Sequence, residues 1–129
     1  MLGEISLSKS DYERISDALK HYSKKLLELQ EDEEIKDGNG ILRDDVRKNS
    51  DEALKLSRRI IEFKSFQIIQ DNSQIICSAL TMHERDLAQS KTKLTEKLGK
   101  DIHFEWKNVD YELTQIAEVK KSIGCPNHK

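Results

Sequence analysis

Large apolar residues recur along this chain with the three-and-four spacing of a helix face in three separate stretches. The first runs through Tyr12, Ile15, Leu19, Tyr22, Leu26 and Leu29; the last runs through Ile102, Trp106, Val109, Leu113 and Ile116 to Ile123, with Lys120 standing in the series. Between them Leu54, Ile61, Ile68, Ile75 and Met82 repeat at heptad spacing, and a second row, Ile69, Ile76, Leu80, Leu87 and Leu94, runs beside the first. Two adjoining rows make one wide apolar face. The spacing predicts an all-α protein with coiled-coil-like packing.

Local signals set the expected boundaries. Leu7-Ser8-Lys9-Ser10-Asp11-Tyr12 reads as a helix start, with Ser8 accepting from the amide of Asp11 and Leu7 stapling onto Tyr12. Asp37-Gly38-Asn39-Gly40 would stop that helix at Lys36, after the acidic run Glu31-Asp32-Glu33-Glu34, read as a solvated helix end. Residues 41–49 fit either a helical turn or a packed loop, and Asn49 with Glu52 forms a capping box that starts a helix near Ser50. Gly99 ends one helix at Leu98, and Gly124 with Pro126 ends the last at Ile123.

The stretch 50–98 admits three geometries. One helix runs through; two helices meet at Asp71-Asn72, with Asp71 as a cap and Gln74 as its partner; or Phe66–Ile69 and Gln74–Cys77 pair as a hairpin. The break at Asp71 leads to an antiparallel bundle of four helices near 9–36, 50–70, 73–98 and 101–123, and its absence to three helices around a long central rod. In both cases the middle stretch carries more apolar surface than its neighbours hide. A two-fold dimer or a helical protein partner is therefore expected on the face of Ile61, Ile68, Ile75, Met82 and Leu87.

Composition narrows the class. The 129 residues suit a single domain, with 1–7 and 124–129 as flexible tails, and 36% hydrophobic against 36% charged residues suits narrow seams between helices. Net charge is −2, which gives no overall pull toward nucleic acid or anionic membrane. Met1–Leu7 lacks the basic start and apolar core of a secretory signal, and no run reaches membrane-span length. Cys77 and Cys125, far apart in sequence, suggest no disulfide framework, and a cytoplasmic address is expected.

Candidate chemistry is sparse. Cys125-Pro126-Asn127-His128 has half of a zinc-ligand spacing, but Cys77, His21, His83 and His103 offer no second pair, so no structural metal site and no cofactor are expected. His83-Glu84 lacks the second histidine of a zinc-protease helix, there is no Glu-x-x-His, and His83 reads as a hydrogen-bonded structural histidine. Lys55, Arg58, Arg59 and Lys64 gather on one polar side. Glu52 and Glu62 interleave with them, and no aromatic is expected among the exposed positions there to stack a base. Three functions remain: a non-enzymatic interaction or oligomerisation module, which these observations favour, a nucleic-acid accessory protein using that basic face, and a small metal-binding bundle.

Overall fold

The computed structural model describes residues 7–30 and 40–126, and the side chains of 7–29 and 43–126. The expected acidic run at 31–34, the stop at 37–39 and His128 lie outside the described residues. Among those residues there are five helices and no strand: α1 Lys9–Gln30, α2 Gly40–Phe63, α3 Phe66–Asp71, α4 Ser73–Leu98 and α5 Lys107–Ser122. The chain is an all-α helical bundle. The alternative hairpin at 66–77 is excluded, because both of its arms are helical.

α1 begins where its capping box requires. The Ser8 amide donates to Asp11 Oδ2 at 3.0 Å, and the Asp11 amide donates to Ser8 Oγ at 3.1 Å, so two orphan donors are satisfied reciprocally. Leu7, expected in a loose tail, packs against the core.

The most extensive helix pairing is that of α1 with α2. Ser16, Ser23, Ser50 and Ser57, all buried, meet across it. Ser16 Oγ donates to the Ser57 carbonyl at 3.1 Å, and Ser50 Oγ donates to the Ser23 carbonyl at 3.1 Å. Ser23 Oγ then donates to Ser50 Oγ at 2.7 Å, and Ser57 Oγ to the Leu54 carbonyl at 3.0 Å. A one-carbon side chain reaching the neighbour's backbone requires closely approaching helices. Since Ser16 meets Ser57 and Ser23 meets Ser50, the two helices are antiparallel. Tyr12, Ile15 and Leu19 from α1 and Leu56 and Ile60 from α2 extend the contact into one core cluster, shared with Ile69, Ile76, Leu80, Ile116 and Val119.

The middle stretch breaks twice. Asn72 separates α3 from α4, near the expected break, but Asp71 is not the cap. Its carboxylate accepts from Gln67 at 2.8 Å within α3, and the Asn72 side chain turns back to donate to the Ile68 carbonyl at 2.8 Å. A second break falls at Lys64-Ser65. Lys64 adopts φ +46, its amide closes on the Ile60 carbonyl at 2.9 Å, and its Nζ covers the Ile61 carbonyl at 2.9 Å. This is a left-handed helix stop built on lysine where glycine is usual, so the residue type gave no warning.

Two further boundaries differ from expectation. α2 begins at Gly40, and Asn49 lies inside it with its side chain donating to the Asp45 carbonyl at 2.8 Å, so Asn49 and Glu52 cap nothing. α5 begins only at Lys107, because 102–106 leave the turn at Gly99 without helical hydrogen bonding. Its other end follows the sequence closely. The Gly124 amide donates to the Lys121 carbonyl and the Cys125 amide to the Lys120 carbonyl, with Gly124 at φ +78, the paired bonds of a Schellman stop.

That stop turns Cys125 back onto α4, where it forms a disulfide with Cys77 at a Cα separation of 5.6 Å. The expectation of unlinked cysteines is overturned, as is that of a loose tail for 124–126. Distance along the chain misled: α4 and α5 run antiparallel, which brings residues 48 apart in sequence face to face. In the chain-entropy picture, closing such a loop removes unfolded-state freedom of about 4 kcal/mol.

The serine contact has a direct test. Ser50→Leu should overfill the α1–α2 interface and strip Ser23 Oγ of its acceptor, lowering stability by about 1–3 kcal/mol in a urea melt. A variant as stable as the wild type would mean that the helices are not closely apposed.

Candidate functional site

Polar chemistry concentrates where α1, α4 and α5 meet. The Nε2 of His21, on α1, lies 2.6 Å from Asp86 Oδ2 on α4. The His21 ring stands edge-on to His83, with centroids 4.9 Å apart and planes 71° apart. Arg14 grips Glu112 of α5 with two hydrogen bonds, Nε to Oε2 at 3.1 Å and Nη2 to Oε1 at 2.8 Å, while Lys120 of α5 reaches Glu84 at 3.1 Å. Each helix of the trio is thereby tied to the other two by polar side chains. A cleft of about 240 Å³ opens beside this knot, lined by Ser10, Glu13, Arg14, Asp17, His83 and Glu112.

Environment sets the protonation of the knot. The hydrogen bonds from Arg14 hold the Glu112 carboxyl below the usual carboxylate range against some desolvation, and the same contact raises Arg14. Burial pushes His83 below the ordinary histidine value, and neighbouring His21 adds to the shift; Glu112, Asp86 and Asp17 oppose it. His83 was expected to be hydrogen-bonded, yet its buried Nδ1 has no partner among the described residues. An Asp-oriented imidazole supplies two of the three members of a nucleophilic triad, but among the described residues no hydroxyl or thiol is hydrogen-bonded to either ring. Nor, among them, does any group of three His, Cys, Asp or Glu converge in a way that could hold a metal ion. Cys125, the candidate half-ligand, has its sulfur committed to Cys77.

The residues singled out for interaction do not form one face. Ile68, Ile75 and Leu87 are half-buried against the core, Met82 lines a groove with Tyr22, and Ile61 is 37% exposed near the end of α2. The heptad row is divided because the helix that would carry it stops at Lys64 and restarts twice.

Lys55, Arg58, Arg59 and Lys64 are all exposed, as are Glu52 and Glu62 among them. Phe63 is exposed beside Arg59 on the same helix, which corrects the expectation that no aromatic accompanies this basic face. Lys64 is partly occupied in stopping α2.

A different apolar surface emerges at the α4–α5 turn. Ile102 and Phe104 are 56% and 47% exposed and line a cleft of about 220 Å³ with half-buried Leu98 and Trp106, and Leu94, one turn before Leu98 on α4, is 39% exposed. Phe104 and Trp106 pack at 4.6 Å between centroids. Lys91 lies 5.8 Å over the Trp106 ring and pairs with Asp110 at 2.8 Å. The spacing of the sequence puts Ile102 and Trp106 in a helix seam, and with α5 starting only at Lys107 both lie outside that helix. Phe104, alternating with Ile102 and Trp106 at strand spacing, is the one sequence feature that departs from the seam.

Among the described residues, no helix is long and apolar enough to cross a membrane. The chain matches no protein-family model, no curated protein and no solved structure.

The knot has a pH signature. Because folding lowers the His83 pKa from 6.5, the unfolded chain binds more protons there between the lowered value and 6.5. Stability at this site therefore falls as pH falls through that window. Urea melts between about pH 7.5 and pH 5.5 should show this loss, and His83→Gln should flatten it. A variant that loses stability as steeply as the wild type would assign the dependence to other groups.

Proposed function

We propose that this chain is a non-enzymatic protein–protein interaction or oligomerisation module that docks through the α4–α5 turn. The observation that carries this reading is the exposure of Ile102 and Phe104 together around one cleft with Leu98 and Trp106, outside the shared core. Apolar side chains clustered in water are costly unless a partner covers them. An aromatic pair flanked by charge is also the composition of an interface centre with a polar rim. A homodimer or a helical protein fits that surface. A cytoplasmic address is retained as part of the proposal, with the cystine as a transient bond there.

Light scattering coupled to size exclusion tests it. The wild type should elute above the mass of one chain, 15.0 kDa, while Ile102→Asp with Phe104→Asp should elute at that mass with unchanged helicity. Ile61→Lys should leave association intact. A wild type that stays at 15.0 kDa at about 100 μM, far above the micromolar range of ordinary association, and that captures no helical partner, would overturn the reading.

One observation favours a second reading, a nucleic-acid accessory role. Exposed Phe63 gives the Lys55, Arg58 and Arg59 face the stacking group that such surfaces use. Under that reading, single-stranded nucleic acid is shifted in mobility at low salt, and Arg59→Ala and Phe63→Ala each weaken the shift. Absence of any shift below about 50 mM salt, where phosphate contacts are strongest, removes it.

A further inference from the structure

An open groove of about 870 Å³ runs along α4, lined by Tyr22, Cys77, Thr81, Met82, Arg85 and the Gly124 and Pro126 turn, among others. Its far wall is not a helix. That wall is the turn that follows α5, joined to α5 by the Gly124 and Cys125 amides and to α4 by the Cys77–Cys125 bond. α5 rests on α4 through a narrow strip of Ile116, Val119 and half-buried Ile123, with Lys120–Glu84 as its last ion pair. Beyond Lys120, among the described residues, no side-chain hydrogen bond or ion pair continues the attachment. Past that point Ile123 and the cystine carry it, and beyond Ile123 the cystine is the link from the turn to α4.

We infer that the Cys77–Cys125 pair is a redox clasp that sets access to the α4 groove. Joined, it fixes residues 124–126 as the groove wall. Reduced, it releases that turn and the last turn of α5, while the rest of the bundle stays folded on its α1–α2 contact. The chemistry balances with a small dithiol as reductant. One of its thiolates attacks a cystine sulfur reached from the groove side, breaking the Cys77–Cys125 bond and forming a mixed disulfide. The second thiol then displaces the protein sulfur. The dithiol leaves as its own disulfide, and the two electrons and two protons it loses stand on the protein as two thiols.

The placement of the two cysteines supports a clasp over a staple of the whole fold. Both partners lie at one end of the α4–α5 hairpin, and neither sits within the serine-lined contact of α1 and α2. Cys125 is half-buried and adjoins an open groove, so a dithiol can approach it without prior unfolding. Local openings of this kind draw on the weakly attached end of a structure and leave its core protected.

Hydrogen exchange with mass spectrometry tests the clasp on the full chain, oxidised and after treatment with dithiothreitol. Alkylation of the treated sample reports how far the bond has been reduced. Amides of 121–125 should exchange at least about tenfold faster once reduced, with those around Ser16 and Ser57 unchanged. Cys125→Ser should behave like the reduced protein with or without dithiothreitol, and hydroxyl-radical labelling of Tyr22 and Met82 should rise at least about twofold in it. Equal exchange in both states would overturn the clasp, because the turn would then be held by other contacts. Acceleration through all five helices would overturn it in favour of a staple of the whole fold. A cystine that resists dithiothreitol under native conditions would overturn it as well.

Discussion

The close antiparallel contact of α1 and α2 is the constraint on which the remaining helices depend. Serines at its centre bring two backbones near enough for hydroxyls to reach carbonyls across the interface. Burying four hydroxyls is tolerable only because each finds an acceptor there. The larger residues on either side, Ile15 and Leu19 against Leu56 and Ile60, then form a floor. α3 and α4 deliver Ile69, Ile76 and Leu80 onto that floor, and α5 adds Ile116 and Val119 as a further layer.

Attachment weakens with distance from this contact. α4 meets α1 through apolar residues and the His21–Asp86 pair, whereas α5 meets chiefly α4, with Arg14–Glu112 as its bridge back to α1. Partly exposed ion pairs contribute modestly. The hairpin of α4 and α5 is accordingly closed at one end by a covalent bond and left at the other with an apolar turn facing water. These two ends carry the functional proposals, one concerning access and the other association. They rest on separate residues, so either can fail without the other.

The histidine knot belongs to neither end. It joins three helices through Arg14, His21, His83, Asp86 and Glu112, and its geometry suits holding those helices in register. Its consequence is a dependence of the fold on proton concentration through one desolvated imidazole.

Periodicity in the sequence determined that the chain is helical, and capping chemistry placed the start of α1 and the stop of α5. Those signals act within one or two turns, so they survive without a tertiary context: Ser8 with Asp11, and Gly124 before Cys125. The serine contact was written at the same heptad spacing, Ser16 to Ser23 and Ser50 to Ser57, but a search for large apolar residues passes over it. What only the tertiary structure decided was pairing. The stop at Lys64 uses a residue whose intrinsic preference opposes it and is imposed as the chain turns to bring α3 and α4 onto the α1–α2 floor. The Cys77–Cys125 bond and the meeting of His21 with His83 and Asp86 join groups too distant in sequence for any local rule to connect. Which apolar residues face water was likewise undecided, because Ile68 and Phe104 are equally apolar in sequence, and only the packing of neighbouring helices covers the first and leaves the second exposed.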